Sequence, residues 1–239
     1  MSEFPLKNKV KLPLLSVIMP VFNEEERIDL AISQVLNAPY THLELIVVND
    51  GSTDRTLLHL KKYAKKIRLI NLPNNGGKGA ALRAGIAQAK GEIILFQDAD
   101  LEYSPLEYPK LLGPILSGVA DVVYGSRFFT SEPHRVVYFW HFLANHLITF
   151  CSNVCTNLNL SDIETGYKVF TRATLSQIKI EEPSFGIEPE ITAKIAKLRA
   201  RIYEVGIGYH GRTYEEGKKI GWRDGIYAIL AIIKYNLLT

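Results

Sequence analysis

Five apolar runs of strand-like composition alternate with helical patterns through the first half of this 239-residue chain. The runs cover residues 15–21, 43–50, 67–73, 92–100 and 121–127. Between the first two, apolar residues recur over 28–36 at the spacing of one helix face. Strands that alternate with helices predict an α/β fold whose mainly parallel sheet is covered by helices on both faces. The nearly continuous apolar strands are typical of such a sheet.

Polar residues stand at or just beyond the carboxyl end of each of these runs. They are Asn23–Glu24, Asn49–Asp50, Asn74–Gly77, Asp98–Glu102 and Ser126–Arg127. Because ligands bind at the carboxyl ends of the strands in open α/β sheets, we expect these groups to meet in one binding site.

Composition and charge argue against several classes of protein. The formal net charge is only +3 and the basic residues are scattered, so a nucleic-acid partner is not expected. Cys151 and Cys155 lie four apart in a predicted helix, which favours packing in a reducing compartment over a disulfide or a zinc site. The first residues lack the apolar core of a signal peptide, and no segment reaches the ~18 uninterrupted apolar residues of a membrane span.

Three carboxylates, Asp98, Asp100 and Glu102, stand at alternate positions at and just beyond the end of the fourth run. Side chains two apart on an extended chain face the same side, so the three would converge. Unpaired, they would raise one another's pKa values, and a hard divalent cation would remove that conflict. Oxygen ligands without histidine or cysteine favour Mg²⁺ or Mn²⁺. A solvated acidic loop is the alternative, because a lone D-x-D is common by chance.

The glycine-rich stretch "GGKGAAL" (76–82) matches neither a P-loop nor a dinucleotide-binding fingerprint. Its backbone N–H groups and Lys78 would suit contact with an anion. An ordinary loop leading into a helix explains the same residues.

Four motifs occur together and in order: "VIMPVFNEEERI" (17–28), "IVVNDGSTDRT" (46–56), "NNGGKGAALRAGIAQAKGE" (74–92) and "LFQDADLEYSP" (95–105). Over residues 14–127 the chain resembles family 2 of the inverting glycosyltransferases, which have the Rossmann-like GT-A fold. Further motifs, "YGSRF" (124–128), "ETGYKVFTR" (164–172), "FGIEPEITAKI" (185–195) and "YHGRTYEEGKKIGWRDGI" (209–226), resemble the polyprenyl-phosphate glycosyltransferases typified by dolichyl-phosphate mannose synthase.

The resemblance implies metal-dependent, inverting transfer of a hexose from a nucleoside-diphosphate sugar, GDP-mannose or UDP-glucose, to dolichyl or undecaprenyl phosphate. It also implies an N-terminal extension over 1–13 and a single domain over 14–239. Within that domain, 14–127 would bind the nucleotide sugar and 128–239 the acceptor.

The resemblance further assigns roles to residues that match the family motifs. The nucleotide sugar would be held by Pro20, Phe22, Glu24, Val48, Asp50, Asp98 and Ala99. The Mg²⁺ or Mn²⁺ ion would be held by Asp98, Asp100 and Glu102. The acceptor phosphate would be bound by Ser126, Arg127, Arg212 and Lys218. The catalytic residues would be Asp100, Arg127 and Arg212.

The choice of acceptor rests on proton chemistry. A hydroxyl nucleophile needs a general base, and relatives that modify hydroxyls carry an E-D pair that is not evident here, although Asp162 or Glu164 would be substitutes. A phosphate acceptor is already ionised at pH 7, because its second pKa is about 6, and arginine suits it. A hydroxyl acceptor and a non-catalytic nucleotide-sugar-binding protein are the two alternatives.

Two apolar segments, 136–150 and 225–239, bear on membrane contact. Each suits an interfacial helix, and each also suits a core helix or a helix that packs on a membrane-anchoring partner protein. Since a polyprenyl tail stays in the bilayer, we expect a cytoplasmic enzyme, peripheral on the cytosolic face of a membrane.

Overall fold

The computed structural model describes residues 12–129, 135–136, 138–184, 186–211 and 222–238. Its strands are β1 (Leu15–Val21), β2 (Leu43–Asp50), β3 (Arg68–Leu72), β4 (Ile93–Phe96), β5 (Val122–Ser126), β6 (Lys168–Thr171) and β7 (Ile202–Gly206). They form one sheet in the order β3-β2-β1-β4-β6-β5-β7. β1 pairs in parallel with β2 and β4, β2 with β3, and β5 with β7, whereas β6 runs antiparallel between β4 and β5. The predicted mainly parallel α/β sheet is confirmed.

The helices are α1 (Ile28–Leu36), α2 (Thr56–Lys61), α3 (Lys78–Gln88), α4 (Tyr108–Leu116), α5 (Phe139–Thr156), α6 (Arg172–Leu175), α7 (Ile187–Lys197) and α8 (Trp222–Ile233). A 3₁₀ turn at Pro105–Glu107 precedes α4, and a π-helical turn at Lys234–Leu238 continues α8.

Apolar side chains alternate between the two faces of the sheet, as the period of a strand requires. Val17 and Met19 lie in a core with residues of α1, α2 and α4. Ile18 and Val48 lie in a second core with residues of α3, α5, α7 and α8. The sheet is therefore covered on both faces, as predicted.

The fourth strand is shorter than the sequence predicted. β4 ends at Phe96 rather than at residue 100. Five residues later the chain turns at Leu101, whose φ of 66° lies in the left-handed region. The carboxylates that follow β4 are therefore on a turn and not on an extended strand.

α5 and α8 pack against each other and leave apolar surface open to solvent. In α5, Phe139 is 65% and Trp140 75% exposed, and its buried residues are confined to Ile148, Thr149 and Ser152. The C-terminal apolar segment is exposed too, at Ile226, Leu230, Ile233 and Leu237. No helix within the described ranges has the length and apolarity needed to cross a membrane.

Candidate active site

A cavity of about 510 Å³ opens at the edge of the sheet where β1, β2, β4 and β5 have their carboxyl ends. Pro20 lines it from β1 and Phe22 from the residue after β1. Asp50 lines it from β2, Asp98 from the turn after β4, and Arg127 from the residue after β5. Because β6 runs antiparallel, the segment that precedes it also reaches this edge. The volume is in the range of small-molecule and cofactor sites, about 300–1,000 Å³.

The loop after β1 is tied to the loop after β2. The side chain of Asn23 accepts a hydrogen bond from the Thr53 N–H at 2.8 Å, and the Asn23 N–H donates to Ser52 Oγ at 3.1 Å. The Glu24 N–H donates to Thr56 Oγ1 at 2.9 Å. These bonds hold Asn23 at a φ of 54° and fix the backbone of Glu24, whose side chain faces the cavity.

Asp50 fixes the glycine-rich loop at the start of α3. Its Oδ1 accepts from the Gly76 N–H at 2.9 Å and its Oδ2 from the Gly77 N–H at 2.8 Å. Gly77 has a φ of 84°, and a Cβ atom there would overlap the carbonyl oxygen of Pro183. The carboxylate of Asp50 therefore shapes the cavity wall by holding a loop that only glycine fits.

Lys78, the first residue of α3, bridges two carboxylates at the cavity. Its Nζ lies 3.0 Å from Asp98 Oδ1 and 3.1 Å from Glu188 Oε1. Burial alone would lower the pKa of Lys78, but the attraction of Asp98 and Glu188 outweighs burial and raises it. The ammonium group therefore stays charged between them.

Asp98, Asp100 and Glu102 do not stand as neighbours on an extended strand. The turn at Leu101 is accompanied by a hydrogen bond from the Glu102 N–H to Asp100 Oδ1 at 3.2 Å. Glu102 Oε2 accepts from the Tyr209 hydroxyl at 3.1 Å. All three carboxylates line the cavity. Within the part of the chain that the structure describes, however, no three Asp, Glu, His or Cys side chains gather as a metal-binding group, so the three-carboxylate ligand set is not preassembled there and stays a prediction.

Arg127 lies at the cavity wall and forms a bidentate ion pair with Asp162. Its Nε and Nη2 each donate to an oxygen of Asp162 at 2.7 Å. The Arg127 side chain is 14% exposed and that of Asp162 is 0% exposed. Burial would raise the pKa of Asp162, but Arg127 outweighs burial and holds the pKa below its ordinary value. Asp162 is therefore an ionised anchor for Arg127.

A cluster of tyrosines joins these groups. The ring centroid of Tyr103 lies 4.8 Å from that of Tyr167 and 5.6 Å from that of Tyr209. The Tyr103 hydroxyl accepts from the Gly166 N–H at 3.1 Å. The guanidinium carbon of Arg127 lies 5.2 Å from the centre of the Tyr209 ring, a favourable cation–π distance. Arg127 is thus positioned by an aromatic ring as well as by Asp162.

Glu164 lines the cavity from the turn that precedes β6. Its Oε1 is buried and has no hydrogen-bond partner among the described residues. Burial, followed by the negative charge of Glu188, raises the pKa of Glu164 to about 8, so its carboxyl group is mostly protonated at neutral pH. The neighbouring Lys168 is buried, which lowers its pKa to about 8, and its Nζ donates to the carbonyl oxygens of Ile163 and Thr165.

Most of the residues assigned from the sequence line the cavity. These are Pro20, Phe22, Glu24, Asp50, Asp98, Ala99, Asp100, Glu102 and Arg127.

Two assigned residues, Val48 and Ser126, do not line it. The Val48 side chain is buried in the second core, because its position on β2 faces the helices. Ser126 is buried and accepts hydrogen bonds from the N–H groups of Phe128 and Phe129, so it shapes the loop that carries Arg127. Arg212 and Lys218 lie outside the described residues.

Sequence reasoning missed Glu188 and Tyr209, and it gave Lys78 and Glu164 only secondary roles. Glu188 is the second residue of α7 and lies in the motif at 185–195, but nothing in that motif marks it as a site residue, and it reaches the site only through the packing of that helix. Tyr209 is the first residue of the motif at 209–226. Its position three residues before Arg212 was the only sequence indication that it belongs to the site.

Comparison with known proteins identifies the family of the chain and agrees with its fold. The family model "Glycosyl transferase family 2" matches residues 16–178. Dodecaprenyl-phosphate galacturonate synthase of Rhizobium johnstonii is 29% identical over 211 residues, which cover 85% of this chain and 61% of that protein. Human dolichyl-phosphate β-glucosyltransferase is 31% identical over 238 residues, which cover 86% of this chain and 69% of that protein. The chain spans between 52% and 65% of the length of three of its curated relatives.

Among solved structures, the chain is similar to glucosyl-3-phosphoglycerate synthase from Mycobacterium tuberculosis, crystallised with Mn²⁺, UDP and glucosyl-3-phosphoglycerate. The TM-score is 0.73 at 22% identity, and the match covers 94% of this chain and 80% of that one. At this identity the likeness concerns the fold, and it confirms the predicted GT-A type. Since the family model covers more than half of the chain, the protein belongs to glycosyl transferase family 2.

Proposed function

We propose that this chain transfers a hexose from a nucleoside-diphosphate sugar to a polyprenyl phosphate, with inversion at the anomeric carbon. The observation that carries the proposal is the Arg127–Asp162 pair at the cavity wall. It supplies a fixed cation for an anionic acceptor. It also occupies the carboxylate of Asp162, which would otherwise be a candidate base for a hydroxyl acceptor.

The donor is assigned to the half of the cavity formed by the first strands. Phe22, 37% exposed, offers a ring to a nucleobase, and Glu24 and Asp50 offer carboxylate oxygens near a ribose. The diphosphate would then lie beside Asp98 and Asp100. The relatives reported above are named for glucose and galacturonate transfer to polyprenyl carriers, so UDP-glucose is the leading donor and GDP-mannose the second.

The residues at the turn after β4 fit a divalent cation. Mg²⁺ is usually bound by one or two carboxylates and completes its shell with substrate phosphates, so it does not require three protein ligands. Asp98 and Asp100 supply such a pair, all oxygen, at the cavity; Glu102 is engaged by Tyr209. When bound, Mg²⁺ or Mn²⁺ would neutralise charge on the leaving diphosphate. Lys78, fixed against Asp98, adds a permanent positive charge at the same place.

Arg127 would hold the acceptor phosphate so that one of its oxygens faces the anomeric carbon. That oxygen forms the new bond as the bond from carbon to the diphosphate oxygen breaks. The acceptor phosphate needs no base because it is already ionised. Asp162 and the Tyr209 ring keep the guanidinium in place during the transfer. The predicted contributions of Arg212 and Lys218 to phosphate binding remain part of the proposal.

A hydroxyl acceptor is the second candidate, because Glu164 is a cavity carboxyl group without a hydrogen-bond partner at Oε1 in the described ranges. A base must be ionised, and the pKa of about 8 leaves Glu164 mostly protonated at neutral pH. This second function therefore predicts activity that rises with pH toward and above 8.

The exposed apolar faces of α5 and α8 are proposed to lie on the membrane that holds the acceptor. Aromatic side chains such as Phe139, Trp140 and Phe150 suit the interface between lipid and water. An apolar surface of this kind also suits a membrane-anchoring partner protein.

The test is a transfer assay with purified protein. Radiolabelled UDP-glucose or GDP-mannose is incubated with undecaprenyl or dolichyl phosphate and Mg²⁺ or Mn²⁺, and label in the organic phase is counted. We expect metal-dependent label that disappears in Asp100→Ala and persists in Asp121→Asn, a surface substitution remote from the cavity. Nucleotide-sugar binding without lipid product would favour a hydroxyl acceptor. Binding without turnover on any acceptor would favour a non-catalytic binding protein.

A further inference from the structure

Glu164 is a cavity carboxyl group whose hydrogen bonding is incomplete in the protein. Its Oε1 is buried and unpartnered among the described residues. A buried acceptor left without a bond costs roughly 1–3 kcal/mol, and native structures retain few such atoms without a functional reason. The described residues therefore supply no partner for this atom, and a bound ligand would supply one.

The described cations near Glu164 make their observed contacts with other groups of the protein. Lys78 is held by Asp98 and Glu188, and Arg127 by Asp162. Lys168 donates to two backbone carbonyl oxygens. Among the described residues none of these contacts satisfies Oε1 of Glu164, which leaves a ligand group as a source of its hydrogen bond.

The position of Glu164 identifies that group, on the basis of the proposed function. A Cβ atom on Gly166 would overlap Asp98 Oδ2, so the Glu164–Gly166 turn packs directly on the carboxylate assigned to the diphosphate. The nucleobase is assigned to the opposite side, at Phe22. The part of the donor beyond the diphosphate is the sugar.

We propose that Glu164 forms a hydrogen bond with a hydroxyl group of the donor sugar and thereby selects the sugar that carries a hydroxyl at that place. A carboxyl group that is protonated at neutral pH, as the raised pKa of Glu164 indicates, both donates and accepts hydrogen bonds, which matches a hydroxyl in either direction. Sites built to bond a substrate hydroxyl reject analogues that lack it far more strongly than apolar pockets reject a missing methylene.

The test separates the sugar from the nucleotide. Calorimetry with Mn²⁺ present gives the affinities of the wild type, Glu164→Gln and Glu164→Leu for UDP and UDP-glucose, and for GDP and GDP-mannose. We expect UDP or GDP to bind all three proteins equally. The extra affinity due to the sugar should fall by about tenfold or more in Glu164→Leu, the scale of one buried hydrogen bond, and Glu164→Gln should retain most of it.

A second measurement starts from the wild type, so its main readout does not depend on whether Glu164→Leu folds. Wild-type protein is titrated with the 3-, 4- and 6-deoxy analogues of the sugar nucleotide that it binds. One analogue should lack the extra affinity that the sugar gives the sugar nucleotide over the nucleotide. The affinity of Glu164→Gln for that analogue should be little lower than that of the wild type. If the extra affinity due to the sugar survives in Glu164→Leu and with every deoxy analogue, the proposed role of Glu164 is overturned while the proposed function stands. Equal weakening of nucleotide and sugar nucleotide would also overturn it, since that marks a structural role. A wild type that binds no nucleotide at all refutes the proposed function, and this inference with it.

Discussion

The buried ion pair between Arg127 and Asp162 gives the sharpest test of how the site is built. In Asp162→Asn the guanidinium loses its counter-charge while the side chain keeps its shape. Removing one partner of a buried pair typically costs about 3–5 kcal/mol of unfolding free energy. Because the Arg127 side chain is 14% exposed, we expect the lower end, about 3 kcal/mol. For a protein of this size that loss lowers Tm by about 6–12 °C.

The chain carries a matched control on its surface. Arg201 and Asp121 form the same two-pronged geometry, with Nε and Nη2 at 3.0 and 2.7 Å from the carboxylate, but their side chains are 57% and 27% exposed. Exposed pairs contribute little because water screens them. Asp121→Asn should therefore leave the denaturation midpoint nearly unchanged.

The assay is urea denaturation of both variants, followed by circular dichroism and by tyrosine and tryptophan fluorescence. The double variant Arg127→Met/Asp162→Leu should recover most of the lost stability, because apolar replacements of buried pairs are often neutral, yet it should lose lipid-phosphate transfer. If Asp162→Asn and Asp121→Asn shift the denaturation midpoint equally, burial of the ion pair does not set its contribution to stability, and the reasoning is refuted.

Three further predictions follow from other parts of the structure. Between pH 5 and 8 the folded state keeps a proton on Glu164 (pKa about 8) that the unfolded chain releases, so wild-type stability should fall with pH over this window. Because Glu164→Gln has no such proton, its unfolding free energy should rise relative to that of the wild type as the pH increases from 5 to 8. Urea denaturation at several pH values measures this, and parallel curves of unfolding free energy against pH for the two proteins would contradict it. Gly77→Ala should destabilise the protein, because Gly77 has a positive φ and a Cβ atom there would overlap the carbonyl oxygen of Pro183. Gly113→Ala, in open space on α4, should be neutral or mildly stabilising in the same urea denaturation measurement. Phe139→Ser/Trp140→Ser should reduce flotation with anionic vesicles while leaving UDP-glucose affinity unchanged; unaltered flotation would separate this face from the membrane.

Local patterns were sufficient to predict the first strands and helices. β1 and β2 coincide with the predicted runs, and α1 spans the predicted 28–36. The spacing of apolar residues within a short segment indicates both the type of element and its buried face. The gathering of polar residues at one sheet edge also followed from strand alternation alone.

The error at the D-x-D segment came from assuming that the strand continues. The left-handed turn at Leu101 is a non-glycine residue in an uncommon conformation, which propensity does not predict. The partners of Arg127 and Lys78, Asp162 and Glu188, lie 35 and 110 residues away along the chain. Such pairs are created by tertiary packing, so no window of sequence reveals them.

The antiparallel insertion of β6 between β4 and β5 has a consequence for synthesis on the ribosome. Residues 93–96 and 122–126 emerge first, yet in the finished sheet they are separated by residues 168–171. At about 5–20 residues per second, the nascent chain must wait seconds before the strand that joins them exists. Until then Asp98 lacks Gly166, and Arg127 lacks Asp162. A fragment that ends at residue 127 would therefore expose open strand edges rather than form a donor-binding module, and the site should become competent only late in translation.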